Sequence, residues 1–237
     1  MSIKITFSPA DGKLLGAQIV GYSGVDKRID EFSQVIKHSG TVYDLMALEQ
    51  AYAPPFSSAK DPVAVTGYVA GNILNGKMQP LYWRELQAAD WSKVTLVDVR
   101  TPDEFALGAL KGAVNIPLDD MRDRMKEIPR DKPVYLYCGV GLRGYLASNI
   151  LLQNGYQEVK NLIGGLKLYK AATTPLPEPK EFSNSGSSSS DSSKVDHSEH
   201  SKDSAEAYTI ASSVIPSMRA IKVDACGISC PGPIMKL

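Results

Sequence analysis

Residues 134–144 read VYLYCGVGLRG, and this stretch decides the fold. Four consecutive strand-forming residues lead into three glycines at 139, 141 and 144. Leu142, Tyr145, Leu146, Asn149 and Ile150 then follow at helical spacing, and Gly155 after Asn154 is a helix stop. The same rhythm extends outward. VTLVDV (94–99), AVNI (113–116) and VKNL (159–162) are short runs rich in Val, Ile and Leu. Leu118, Met121, Met125 and Ile128 make a further helical stripe, stopped by Pro129. Strands alternating with helices predict an α/β domain over 78–172, a mostly parallel sheet flanked by helices on both faces.

Cys138 falls where such a sheet does chemistry, at the carboxyl end of a strand. Gly139, Val140, Gly141 and Leu142 can curl so that successive N–H groups point inward and form an anion nest. The following helix N-terminus adds partial positive charge, and Arg143 adds a permanent cation. All three favour a thiolate over a thiol, so Cys138 is a candidate nucleophile. His38, His197 and His200 are remote in sequence, so activation is expected to be electrostatic rather than by an imidazole base. The alternative is a buried structural cysteine at a strand end. The Gly-x-Gly-x-Arg-Gly continuation favours chemistry. Asp98 and Arg100, at the end of the 94–99 strand, read as a helix cap or a loop-bracing ion pair more than as reacting groups.

The rest of the chain bounds these readings. Among 237 residues, 26 basic and 26 acidic side chains cancel, 43% are hydrophobic and 22% charged. A balanced charge makes nucleic acid a poor default partner. No apolar run approaches the ~18 residues of a membrane span, and the N-terminus lacks an export signal. Three cysteines are too few for a disulfide scaffold and suit a reducing cytoplasm. Residues 3–8 and 14–22 predict a hairpin around Pro9-Ala10-Asp11-Gly12. Val25, Ile29, Phe32 and Ile36 predict a helix between Gly24 and Gly40, with a short helix over 41–50 and another from Asp61-Pro62 to about Leu74. Residues 175–207 are Ser-rich and nearly free of aliphatic side chains, the composition of a disordered linker. A short tail follows over 208–237.

Three resemblances attach to these segments. LVDVRTPDEFALGALKGAVNIPL (96–118) with VYLYCGVGLRGYLASNILLQNGYQEVKNLIGG (134–165) strongly resembles the rhodanese domain. That resemblance implies that Cys138 accepts a sulfane sulfur as a persulfide and passes it to a thiol or other nucleophile. It implies that Gly139 to Arg143 form the active loop, with Gly144 beside it, and that Asp98 and Arg100 are the strand-end Asp-x-Arg. The Cys-x4-Arg spacing departs from the Cys-x5-Arg of the related phosphatases, and the shorter loop suits sulfur better than a phosphoryl group. Ala109 stands where many members have His. Residues 26–74, with YAPPFSSAKDP (52–62), resemble the dimerisation domain of pyridine nucleotide-disulfide oxidoreductases, in the coenzyme A-disulfide or persulfide reductase branch. There Tyr52 is expected to approach a partner subunit's thiol site, or else to anchor a Pro-rich turn. This segment is expected to span 1–76 and to begin inside that α+β domain. MRAIKVDACGISCPGPIMKL (218–237) resembles the opening of the TusA-type sulfur carriers, which makes Cys230 a carrier-thiol candidate.

Two functions compete at this level. One is a sulfurtransferase acting between a sulfane sulfur donor and a thiol acceptor. The other is a non-catalytic dimerisation or docking fragment of a larger flavoprotein. Gly139-Val140-Gly141-Leu142-Arg143-Gly144 has the spacing of a Gly-x-Gly-x-x-Gly fingerprint, but it follows Cys138 and carries Arg143 and is not repeated in the chain, so FAD, coenzyme A and NAD(P)H are expected only in a longer parent, not in this chain. No metal is expected. A zinc site from Cys226, Cys230, His197 and His200 would have to draw its histidines from the Ser-rich segment.

Overall fold

The computed structural model describes residues 1–55, 57–175 and 221–226. Strands β1 (Ser2–Phe7) and β2 (Leu14–Val20) form the expected antiparallel hairpin. Alternation along β1 turns Ile3, Ile5 and Phe7 inward. Helix α1 (Val25–Lys37) covers this face with Phe32 and Val35. Helix α2 (Val42–Met46) is nucleated by a capping box between Thr41 and Asp44 and ends short of the expected residue 50. Helix α3 (Pro62–Leu74) starts as expected, with Pro62 in its first turn and Asp61 accepting from the Val63 N–H at 3.0 Å.

The second sheet contains β3 (Gln79–Leu81), β4 (Thr95–Asp98), β5 (Val114–Asn115), β6 (Val134–Tyr137) and β7 (Val159–Leu162). Their spatial order is β3-β7-β6-β4-β5, and every pairing is parallel. Helices α4 (Trp83–Ala88), α5 (Pro102–Ala106), α6 (Met121–Arg124), α7 (Leu142–Gln153) and α8 (Gly165–Thr173) complete the layers. The central strand shows why the sheet is covered twice. Val134, Leu136 and Cys138 enter one apolar cluster, with Ile150 and Leu151 of α7. Tyr135 and Tyr137 enter the other, with Leu86 of α4 and Leu166 of α8. Each such side chain, fully buried, contributes about 1.5–3 kcal/mol. This is the predicted α/β architecture.

One predicted helix needs correction. The stripe at 118–128 is three short pieces: a 3-10 turn at Leu118–Asp120, α6, and a 3-10 turn at Met125–Glu127. The Met125 carbonyl cannot accept an α-helical bond because the residue four positions on is Pro129, and it takes the 3-10 bond from the Ile128 N–H at 3.0 Å. The Tyr156 hydroxyl lies 2.5 Å from the same carbonyl and 3.0 Å from that of Ile128.

The tail strand, β8 (Ile221–Cys226), pairs antiparallel with the free edge of β1, from Ser2 opposite Cys226 to Phe7 opposite Ile221. The first sheet thus has the order β2-β1-β8. Residues 176–220 and 227–237, with Cys230, His197 and His200, lie outside the described residues. Among the described residues no helix is long and apolar enough to cross a membrane.

Candidate active site

Strand β6 delivers Cys138 to the carboxyl edge of the sheet, where the residue is only 1% exposed. The chain must then turn into α7 within three residues. Gly141 makes the turn at φ +122, and its N–H points back at Cys138 Sγ, 3.1 Å away. That φ is closed to most side chains, which explains the glycine.

The loop's carbonyls are tied back from behind. Leu166 and Lys167, in the first turn of α8, donate their N–H groups to the carbonyls of Cys138 (2.8 Å) and Gly139 (3.0 Å). Asn161 Nδ2 and the Tyr145 N–H both donate to the Gly141 carbonyl at 3.0 Å. Peptides here are trans, so each N–H points opposite to its carbonyl. The N–H groups of Gly139, Val140 and Leu142 therefore face away from α8, Asn161 and the body of α7. With the Gly141 N–H on the sulfur, the loop presents a row of donors, the geometry that stabilises charge growing on a sulfur or on a bound anion.

This arrangement depends on α8 coming very close. A Cβ on Gly165 would lie 2.6 Å from both the Cys138 carbonyl oxygen and the Val140 nitrogen. Gly144 has a different role from the loop residues. It lies on the buried side of α7, where a Cβ would meet Asn161 Oδ1 at 2.1 Å. Its place is packing against β7. Val140 and Leu142 turn their side chains outward, 37% and 64% exposed.

Arg143 is held by Glu104 of α5. Its two terminal nitrogens donate to the two carboxylate oxygens at 2.6 and 2.8 Å. The guanidinium is pushed above its ordinary value, first by Glu104 and to a smaller degree by Cys138. Its grip holds the Glu104 carboxyl down at about 2, with the Thr101 cap adding to the effect. Sequence reasoning did not single out Glu104. The signal was the Thr-Pro-Asp-Glu capping box at 101–104, but its partner lies 39 residues away.

Asp98 and Arg100 form a buried ion pair with two-pronged geometry, 2.6 Å at the shortest contact. The Asp98 carboxylate also accepts from the Arg100 N–H, and Arg100 Nη2 donates to the Gly108 carbonyl at 2.9 Å. The Tyr137 hydroxyl accepts from the Leu110 N–H at 3.1 Å, and burial pushes this phenol above its ordinary value. Ala109 is thus flanked by two pinned residues. The geometry of Asp98 and Arg100 is that of a brace for the segment that carries α5.

Tyr52 is half-exposed and lines a different cleft, of about 130 Å³, with Ser57, Ser58, Lys60, Asp61 and Tyr68. Asp61 there is gripped by Arg28 at 2.7 Å; burial raises its carboxyl, but Arg28 and the Val63 N–H together hold it below its ordinary value. Among the described residues no group of His, Cys, Asp or Glu is arranged to hold a metal ion.

Two segments of the chain match known families. Residues 82–172 match the rhodanese-like domain, and residues 1–63 match the pyridine nucleotide-disulphide oxidoreductase dimerisation domain. A sulfurtransferase of Allochromatium vinosum is 42% identical over 91 residues, which are 38% of this chain and 85% of that protein. The solved structure of reduced Bacillus anthracis CoADR-RHD is 48% identical, with a TM-score of 0.68, over 71% of this chain and 30% of that one. An NAD-dependent persulfide reductase from A. fulgidus is 35% identical, with a TM-score of 0.62, over 70% of this chain and 29% of that one. The chain thus spans under a third of either solved protein.

Proposed function

Because the chain belongs to the rhodanese-like family, we propose that it is a sulfurtransferase that carries sulfur as a persulfide on Cys138. The Cys138 thiolate attacks the outer sulfur of a donor R–S–SH. A Cys138 S–S bond forms, the donor's S–S bond breaks, and RS⁻ leaves. Thiosulfate would react in the same way and release sulfite. An acceptor thiolate then attacks the outer sulfur of the persulfide, takes it, and restores the Cys138 thiolate. The main support is the loop after Cys138, in which the Cys138, Gly139 and Gly141 carbonyls are tied back and the Gly141 N–H points at Cys138 Sγ. On this reading Arg143 orients the donor, and Asp98 and Arg100 hold the scaffold.

The finer features belong to the same proposal. Residues 1–63 serve self-association or docking to a flavoprotein, with Tyr52 presented to the partner. FAD, coenzyme A and NAD(P)H belong to that partner or to a longer parent protein. The tail is a TusA-like segment whose Cys230 receives sulfur from Cys138.

Mass spectrometry after treatment with thiosulfate or glutathione persulfide tests the assignment. One added sulfur should appear in the wild type, map to Cys138 when acceptors are absent at short times, and vanish in Cys138→Ala. Equal loading of that variant overturns the reading. The same peptide map at longer times reports passage to Cys230.

A further inference from the structure

The guanidinium beside Cys138 is not a free charge. Both of its terminal nitrogens are committed to the Glu104 carboxylate, and that carboxylate is fixed at its other side by the backbone N–H and hydroxyl of Thr101 at 3.2 Å. The pair is only partly exposed, 34% for Arg143 and 37% for Glu104. The second arginine of the region, Arg100, is likewise committed, to Asp98. The loop itself supplies Gly139, Val140, Gly141 and Leu142, with no cationic side chain and with apolar groups at the surface.

We propose that Glu104 is a positioning and specificity residue that holds Arg143 over Cys138 while cancelling its charge, so that the site favours persulfides of organic thiols over dianionic thiosulfate. The inference rests on the sulfurtransferase reading above and names the donor class for that same site. Its physical basis is the charge count at the moment of attack. With the thiolate present, Arg143 and Glu104 sum to zero and the site is net anionic. A dianion approaching it is repelled about twice as strongly as a monoanion, and a neutral persulfide is not repelled. The loop amides offer both donors the same hydrogen bonds, so they do not offset the difference. The apolar Val140 and Leu142 surfaces favour an organic R group over a sulfonate. Glu104 stays ionised at any working pH, since its carboxyl is held at about 2.

Glu104→Gln tests the proposal, because the amide oxygen can still accept from Arg143 while the negative charge is gone. Transfer to a common acceptor thiol is measured with thiosulfate and with the persulfide of 2-mercaptoethanol, whose R group carries no charge, as donors. The ratio of the two kcat/KM values should shift toward thiosulfate by roughly tenfold. An unchanged ratio, or an equal fall with both donors, overturns the proposal and leaves Glu104 as a structural clasp. A second measurement needs no variant. Wild-type kcat/KM for thiosulfate should not fall as salt rises from about 0.05 to 0.5 M, since no free cation draws the dianion in. A steep fall overturns the proposal. Failure of Cys138 to load with either donor removes the sulfurtransferase reading itself, a result distinct from a loaded enzyme with an unmoved ratio.

Discussion

Gly165→Ala and Gly76→Ala form a matched pair that isolates how α8 shapes the cysteine loop. Both glycines hold left-handed backbone, at φ +58 and φ +66. Around Gly76 an added Cβ meets nothing within 4 Å. At Gly165 it would lie 2.6 Å from the Cys138 carbonyl oxygen, 2.6 Å from the Val140 nitrogen and 2.7 Å from the Gly139 carbonyl carbon. These are backbone atoms, so no side-chain rotation relieves the contact. The left-handed conformation alone costs an alanine about 1–2 kcal/mol, which is the whole expected loss for Gly76→Ala. Overpacking adds about 1–3 kcal/mol at Gly165, for a total of about 2–5 kcal/mol. Urea unfolding followed by circular dichroism reads both values, provided the slope is common to the two variants. Relief at Gly165 requires α8 to retreat and carry the Cys138 and Gly139 carbonyls with it. A shift of about 1 Å in the loop amides is enough for a loss of about 100-fold in the rate of sulfur loading on Cys138. Gly76→Ala should load at the wild-type rate. Equal stability losses in the two variants, or normal loading by folded Gly165→Ala, would refute the account of the loop as a structure held from behind by α8.

Two further outcomes follow from the ion pairs. Asp98→Ala leaves Arg100 buried without its carboxylate and should cost about 3–5 kcal/mol in a denaturation experiment; a loss below about 1 kcal/mol would show that the brace is dispensable. Glu104 has a folded value of about 2 against an ordinary 4.5, so its contribution is complete above about 4.5 and is lost as pH falls toward 2. Partial exposure limits that contribution to about 1 kcal/mol or less. Wild type should therefore lose stability relative to Glu104→Gln over this acid window, and parallel pH profiles would contradict it.

Much of the fold could be read locally. VYLY announced β6 because its residues alternate between two apolar clusters and none is polar. Asp61-Pro62 announced α3 because the cap and the fixed φ of proline act within one turn. β3 escaped notice because it is three residues long and carries Pro80, which an edge strand tolerates and a pattern search rejects. α5 is five residues, too short to show a period. The stop at Pro129 was legible, but the Tyr156 hydroxyl that meets the Met125 and Ile128 carbonyls comes from a distant element that no local pattern includes. At the site, Cys138, Gly141 and Arg143 were legible because they are adjacent. Glu104, Asn161 and Gly165 were not, because each acts on the loop from a distant element. Gly144 was read as part of the loop, but its crowding against Asn161 is visible only in three dimensions.

The pairing of β8 with β1 has a consequence for how the chain is made. A ribosome releases β1 well before β8, yet the two are neighbours in one sheet. The hairpin of β1 and β2 and the whole parallel-sheet domain lie between those events and can fold while synthesis continues. The edge of β1 must then wait, with its backbone donors and acceptors unpaired, until β8 emerges. Closing so long a loop adds little cost per residue, since each doubling of its length costs only about 0.6 kcal/mol. What it sets is an order of events: β8 joins after the other described strands have been made, and any strand of suitable register that reaches the edge earlier competes for its place.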